Sequence, residues 1–271
     1  MSEANSHNSF NGEQLNNDLL DLHEAILDEN TDDVKSVIKR WQESGFHVPE
    51  LLHKEIELEP TEEDHKLNRL PLSALHRAAL SNTESIISFL LTCQDDGSIN
   101  PNLRLSRDGF TPLHISALAG STVTANYLAS NGACVTSCDV YGRMPLHLAA
   151  WHRQTDLLKV LVVKGASIDA TDDAGETPLH QAAEAGSKEA VTFLIGRQAK
   201  VNAVDKLGQT PLHKAAGGGH DDVIQLLLNR GAIVNSTNQY GYSPLHEVIG
   251  YKRREHSETK TGGKNQNLVL Q

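Results

Sequence analysis

Thr177-Pro178-Leu179-His180 is one of five similar tetrapeptides that decide how this chain folds. The others are Thr111-Pro112-Leu113-His114, Met144-Pro145-Leu146-His147, Thr210-Pro211-Leu212-His213 and Ser243-Pro244-Leu245-His246. Their histidines are separated by 33 residues each time, and a weaker copy, Ser73-Ala74-Leu75-His76, lies 38 residues before His114. A fixed period of this length is typical of a repeat architecture, in which every unit has the same structure.

The residues of the tetrapeptide favour the start of a short helix. Thr or Ser at the N-cap accepts hydrogen bonds from free backbone N–H groups, and proline suits the first helical position because no donor is needed there. An Ala-Ala pair such as Ala182-Ala183 then gives this helix a narrow apolar face. A second stretch, for example from Asp156 to Val163, has the apolar spacing of another helix. Because two short helices cannot bury their faces alone, successive units must stack.

A 33-residue unit with this tetrapeptide, a closing Gly-Ala step and an Asp-x-x-Gly turn resembles the ankyrin repeat. The resemblance covers residues 68–251, as about five repeats plus a truncated last one, and more weakly residues 17–43, as a degenerate first repeat. It implies an all-α solenoid of stacked helix-turn-helix units with β-turn or hairpin tips, and a concave groove that binds proteins. It also implies that the repeat histidines are structural hydrogen-bonding residues. These are His76, His114, His147, His180, His213 and His246.

The segments outside the repeats carry most of the negative charge. Residues 1–66 hold 17 acidic and 5 basic residues, whereas residues 67–271 hold 18 and 19. Three such segments are expected: a disordered N-terminus at 1–16, an acidic insertion or linker at 44–67 and a polar tail at 252–271. The basic cluster Lys252-Arg253-Arg254 is interpreted as part of the solvated tail rather than as a weak nuclear address. No basic face is present for a phosphate backbone, so no nucleic-acid partner is expected.

The repeats depart from their own pattern at several points. Arg153 and Gln198 stand where the pattern has glycine, so those turns must accommodate a side chain. An insertion at Gln94–Leu103 lengthens one loop. The last repeat stops being periodic after Ile249, and the tail beyond it has only Leu268-Val269-Leu270 as an apolar stretch. The end of the stack is therefore expected to be open, and either the tail, a partner or the remainder of a longer protein would cover it.

No catalytic pattern accompanies the repeats, so the chain is expected not to be an enzyme and to require no cofactor or metal. Six of the 14 histidines share one repeat position. Helices stacked about 10 Å apart would hold these rings too far from one another to share a zinc ion. The sequence lacks the G-x-S-x-G and G-x-x-x-x-G-K motifs. An active site within residues 1–67 is not expected, because that segment is short and acidic.

The cysteine and apolar content indicate the compartment. Cys93, Cys134 and Cys138 form neither a disulfide framework nor a paired set of zinc ligands. Neither a secretory signal nor an apolar stretch of 18 residues is recognisable, so no membrane span is expected. The cytoplasm is the expected compartment, and the nucleus is the alternative.

In the ankyrin family the groove is lined by the turn tips and by the ends of the first helices. The residues at those positions, which we expect to bind a partner, are Arg107, Asp108, Phe110, Tyr141, Arg143, Trp151, His152, Glu176, Glu184, Lys206, Leu207, Tyr240, Tyr242 and Tyr251. Exposed aromatic residues together with arginine are typical of interface hot spots. The first anchor patch is expected to comprise Phe110, Tyr141, Arg143, Trp151 and His152, and the three late tyrosines form the second. The alternative is that Trp151 packs on Tyr141 and only stiffens the repeats.

These observations favour a non-catalytic adaptor or scaffold that binds another protein, whose identity the sequence does not specify. Two alternatives remain open at this point. The chain could be the regulatory or targeting module of a larger signalling protein or bacterial effector. It could also associate with itself through the open C-terminal end.

Overall fold

The computed structural model describes residues 12–44, 46–56, 71–80, 82–93 and 99–249. In these ranges it has thirteen fully described helices, further helical residues at 244–249, and one isolated antiparallel bridge between Ile56 and Leu72. The helical fold class predicted from the repeats is confirmed. The chain divides into two compact units, Met1–Cys134 and Val135–Gln271, which we call unit 1 and unit 2.

The described part of unit 1 contains seven helices. They are α1 (Gly12–Leu27), α2 (Thr31–Glu43), α3 (Val48–Leu52), α4 (Ala74–Ala78), α5 (Glu84–Thr92), α6 (Pro112–Ala119) and α7 (Thr122–Ser130). Helix α1 packs against α2 and α4, and α4 packs against α5 and α6. Residues 12–16 are helical, so the disorder predicted for 1–16 does not extend to them. Residues 1–11 lie outside the described residues.

Buried polar groups tie the first repeat of unit 1 together. The Arg77 side chain is fully buried, and its Nε donates to His23 Nδ1 at 2.8 Å. Burial, followed by the charge of Arg77, lowers the pKa of His23 to about 3, so this imidazole is neutral. Between α1 and α2, the buried Asp18 accepts from Trp41 Nε1 at 3.3 Å and pairs with Arg40 at 3.2 Å. The degenerate repeat, which lacks the tetrapeptide, thus adds these polar contacts to its buried apolar core.

Part of the acidic insertion is structural. Helix α3 buries Val48 and Leu52, and Ile56 exchanges two backbone hydrogen bonds with Leu72 at 2.9 and 3.1 Å. The Glu55 carboxylate accepts from both the amide and the hydroxyl of Ser106, each at 2.8 Å. The first part of the insertion therefore forms hydrogen bonds with the turn of a later repeat in the same unit.

Unit 2 contains the most regular repeats. Its helices are α8 (Pro145–Trp151), α9 (Thr155–Val163), α10 (Pro178–Glu184), α11 (Lys188–Gly196), α12 (Pro211–Gly217) and α13 (Asp221–Asn229). The first helices of the repeats pack on one another, α8 on α10 and α10 on α12, and the second helices do the same, α9 on α11 and α11 on α13. The core consists of the leucines and paired alanines of these helices, which are almost completely buried. We call α8, α10 and α12 the inner helices.

Two turns of unit 2 hold a side chain where the pattern has glycine. Arg153 has φ of 60° and Gln198 has φ of 68°, both in the left-handed region that favours glycine. The Arg153 guanidinium donates to the carbonyl of Ala185 in the next repeat, through Nε at 2.8 Å and also through Nη2. This side chain therefore forms a contact between repeats that glycine could not form.

Candidate functional site

Each repeat of unit 2 begins with a five-residue turn, which we call the turn tip. The four tips span residues 139–143, 172–176, 205–209 and 238–242. In each, the first amide donates to the fifth carbonyl, at 2.9 to 3.0 Å. The first side chain also accepts from the third and fifth amides, as Asp205 Oδ1 does from Leu207 and Gln209 at 2.8 Å each. These side-chain bonds fix the tip conformation locally and explain why Asp or Asn begins each turn.

Neighbouring tips are joined by one backbone hydrogen bond for each pair of repeats. The amide of Asp173 donates to the carbonyl of Tyr141 at 3.0 Å, and the amide of Lys206 donates to Ala174 at 2.9 Å. The same bond recurs between the amide of the next repeat and the carbonyl of Leu207 at 2.9 Å. The tips consequently lie in register along unit 2, and their third residues are exposed. These third residues are Tyr141, Ala174, Leu207 and Tyr240.

The histidines of the tetrapeptides support the scaffold. The amide of Thr177 donates to His180 Nδ1 at 3.1 Å, and His180 Nε2 bonds the carbonyl of Gln209 in the next repeat at 3.1 Å. His213 makes both contacts one repeat later. Burial lowers the pKa of His180 to about 4, so its ring is neutral near pH 7. Across the described ranges, no three His, Cys, Asp or Glu residues are grouped so that they could hold a metal ion.

The first tip and the end of α8 lie close together, because the charge of Arg143 acts on His152. Tyr141 is 53% exposed, and the Arg143 guanidinium lies 4.9 Å from the centre of its ring. Asp139 accepts from Arg143 Nε at 2.8 Å and so holds the guanidinium in place. Trp151 is half-buried at the last position of α8, and His152 follows it as an exposed residue. Partial burial and then the charge of Arg143 lower the pKa of His152.

A charged cluster lies between the second and third tips. The sequence predicts some of its members as site residues but does not predict that they come together. The Lys214 ammonium on α12 contacts the Glu176 carboxylate and lies 3.6 Å from Glu184 and 3.5 Å from Asp205. Burial alone would lower the pKa of Lys214, but Glu176 and the other two carboxylates outweigh burial and raise it. Gln181 also donates to Glu176. The repeat register is the signal in the sequence that could have predicted this cluster. It places Glu176, just before one tetrapeptide, beside Lys214, just after the histidine of the next.

The late tyrosines are exposed at the last tip. The Tyr240 and Tyr242 ring centres are 6.4 Å apart, and Tyr242 stacks on His246 with ring centres 5.8 Å apart. Tyr251, the third member of the predicted patch, lies outside the described residues. Leu207 and Lys206 are exposed on the preceding tip, in accordance with their positions in the turn.

Three candidates belong to unit 1. Arg107 is exposed, and its guanidinium lies 3.9 Å from the Asp108 carboxylate. Phe110 is only 8% exposed and stacks on His114 with ring centres 5.7 Å apart. The expectation that Phe110 contributes to an exposed anchor patch is therefore wrong, because its wholly apolar ring is buried with the core. The backbone pair that closes this turn joins Leu105 to Phe110, so the turn is one residue longer than the tips of unit 2.

Comparison with protein-family models gives four overlapping matches to ankyrin repeats, at residues 22–139, 75–172, 135–205 and 179–258. The chain belongs to the ankyrin-repeat family. Members of this family are generally protein-protein interaction modules. Comparison with curated protein sequences gives no match. Among the described residues of this ankyrin-repeat protein, no helix has both the length and the apolar character that crossing a bilayer requires.

Proposed function

We propose that this ankyrin-repeat protein is a non-catalytic adaptor that binds a partner protein on the tips and inner-helix ends of unit 2. The observation that carries the proposal is the exposed Tyr141 beside Arg143 in the first tip, near His152 and Trp151 at the end of α8. Tyrosine, tryptophan and arginine are the residues most enriched at interface hot spots.

The backbone beneath this surface supports the proposal, because it is held before any partner arrives. The Tyr141 amide donates to Asp139 Oδ1 at 2.8 Å, and its carbonyl accepts from Asp173. Arg143 is held by both a carboxylate and a ring. Groups that are already ordered lose less conformational entropy on binding, so more of the contact energy contributes to affinity.

The charged cluster extends the proposed surface toward α12. Lys214 is surrounded by Glu176, Glu184 and Asp205, so each charge has a partner within the protein. Buried charges that are paired in this way are costly to separate, and they fix the relative positions of neighbouring inner helices. We assign this cluster to shaping the surface, and we assign the anchoring contacts to the aromatic residues.

The test compares the full chain with the double variant Tyr141→Ala, Trp151→Ala in an affinity capture, followed by an affinity measurement on each recovered protein. Val163→Ala is the matched control, because Val163 lies at the end of α9 in the same repeat and is 73% exposed. We expect the double variant to weaken a genuine partner by more than about 2 kcal/mol, roughly 30-fold in Kd.

Circular dichroism melting curves of all three proteins show whether the repeats remain folded. A partner that binds the double variant and the wild type equally, while helicity is retained, contradicts the proposed surface. Trp151 would then be a residue that stiffens the repeat without touching a partner.

A further inference from the structure

The last described repeat of unit 2 exposes residues that every earlier repeat of the unit buries. Leu245 is 65% exposed, whereas Leu212, which occupies the same position one repeat earlier, is 2% exposed. Ile249 is 48% exposed, whereas Ala216 at the same position one repeat earlier is 1% exposed. Tyr242 is exposed too, and so is Tyr240, like the third residue of every tip. The side of the last repeat that would contact a following repeat, as α10 contacts α12, is therefore not covered by any repeat among the described residues.

This face, which we call the open end, has one donor and one acceptor without a partner among the described residues. The amide of Ser243 donates to His246 Nδ1 at 3.1 Å, so the ring proton is on Nε2. His213 Nε2 bonds a carbonyl of the next repeat at 3.0 Å, but His246 Nε2 has no partner in the described part of the chain. The carbonyl of Leu207 accepts an amide of the next tip, and the carbonyl of Tyr240 has no such donor within the described ranges.

The open end is also poor in charge. Residues 236–249 contain one charged side chain, Glu247, counting histidine as neutral. The corresponding residues 203–216 contain three, and residues 170–183 contain three. Depletion of charge together with enrichment in tyrosine is the composition of an interface core. Two such faces could approach each other without bringing like charges together.

The residues that follow in the sequence do not repeat the apolar pattern of the preceding second helix. In the preceding repeat, α13 supplies Val223 and Leu227, which are fully buried. The positions one repeat later hold His256 and Lys260.

We propose that the open end binds the open end of a second copy of this chain in a two-fold symmetric dimer. Under a two-fold axis, His246 Nε2–H of each copy donates to the Tyr240 carbonyl of the other, and Leu245 and Ile249 pack on their counterparts. A face that presents both a donor and an acceptor is complementary to itself in this way, which a closed isologous dimer requires. This inference does not depend on Tyr141 and Trp151, the residues by which the proposed partner surface is tested.

The experiment is sedimentation velocity on the full chain from about 1 µM to about 100 µM, the range in which a small interface of micromolar affinity assembles. We expect the wild type to shift from monomer to dimer, and the double variant Leu245→Glu, Ile249→Glu to stay monomeric. Val163→Glu adds a charge at an equally exposed apolar position of α9 and is expected to dimerise as the wild type does. His246→Ala is expected to weaken the dimer about tenfold through loss of its hydrogen bonds.

Three outcomes overturn the proposal. A wild type that stays monomeric throughout indicates that residues 251–271 or another protein cover the open end. A dimer that persists in the Leu245→Glu, Ile249→Glu variant uses another surface. Masses beyond the dimer indicate head-to-tail stacking rather than a closed pair. Because both substituted side chains are exposed, the variants should fold, and circular dichroism verifies this.

Discussion

The second and fourth tips of unit 2 have the same local structure and very different surroundings. Asp172 and Asn238 each accept from the amides two and four residues later, at 2.8 to 3.0 Å. The amide-to-histidine bond at the helix start is 3.1 Å in both repeats. Yet His180 is fully buried and His246 is exposed. The tetrapeptide thus determines how a repeat folds, whereas burial, and with it most of the stability, comes from the repeat stacked on it.

The largest effect expected from this comparison is at the glycine of the tip. Gly142 and Gly241 have φ of 73° and 76°, but a Cβ on Gly142 would lie 2.8 Å from the backbone nitrogen of Asp173, whereas a Cβ on Gly241 meets nothing within 4 Å. We expect Gly142→Ala to lower the free energy of unfolding by about 4 kcal/mol, since it adds a backbone clash to the left-handed strain. Gly241→Ala adds only the strain and should cost about 1 kcal/mol.

Urea unfolding followed by circular dichroism measures both variants against the wild type. Equal destabilisation at the two positions would show that the tips of unit 2 are not stacked in the register described above. The strain, and not the neighbouring repeat, would then account for both effects.

The next effect concerns the leucine of the tetrapeptide. Leu212→Ala removes a buried side chain of α12 and should cost about 3 kcal/mol, which includes the cavity left behind. Leu245→Ala changes a side chain that is mostly exposed in the same sequence context, and should cost less than about 1 kcal/mol in dilute protein.

The same urea titration distinguishes the two leucines, and dilution separates their folding contribution from dimerisation. If Leu245→Ala destabilised dilute, monomeric protein as much as Leu212→Ala does, then Leu245 would be covered within the monomer. That result would also contradict the proposed dimer.

The interior repeats show which features of the fold can be predicted from the sequence and which cannot. Helix starts and turn tips are predictable because the cap, the proline and the turn Asp act within a few residues of one another. The exposure of Tyr141 and Leu207 follows from their position in the turn. The burial of Phe110 could not be predicted from its position, which matches that of Arg143, because burial depends on which residues pack over the ring. The ion pair between Glu176 and Lys214 likewise could not be predicted without knowing which residues of adjacent repeats lie side by side.

The smallest effect is a pH dependence that the buried interior histidines should confer. Burial lowers the pKa of His180 to about 4, while its imidazole in the unfolded chain has an ordinary pKa near 6.5. Below pH 6.5 the unfolded state binds a proton that the folded state excludes, so the stabilisation is fully present above pH 6.5 and is lost as the pH falls toward 4. From pH 7 to pH 5 the wild type should lose about 2 kcal/mol more than the variant His180→Gln, which has no imidazole to protonate there. Urea unfolding at both pH values gives this difference directly. Parallel losses in the two proteins would mean that His180 stays accessible to protons in the folded state, and that the interior repeats are looser than their hydrogen bonds indicate.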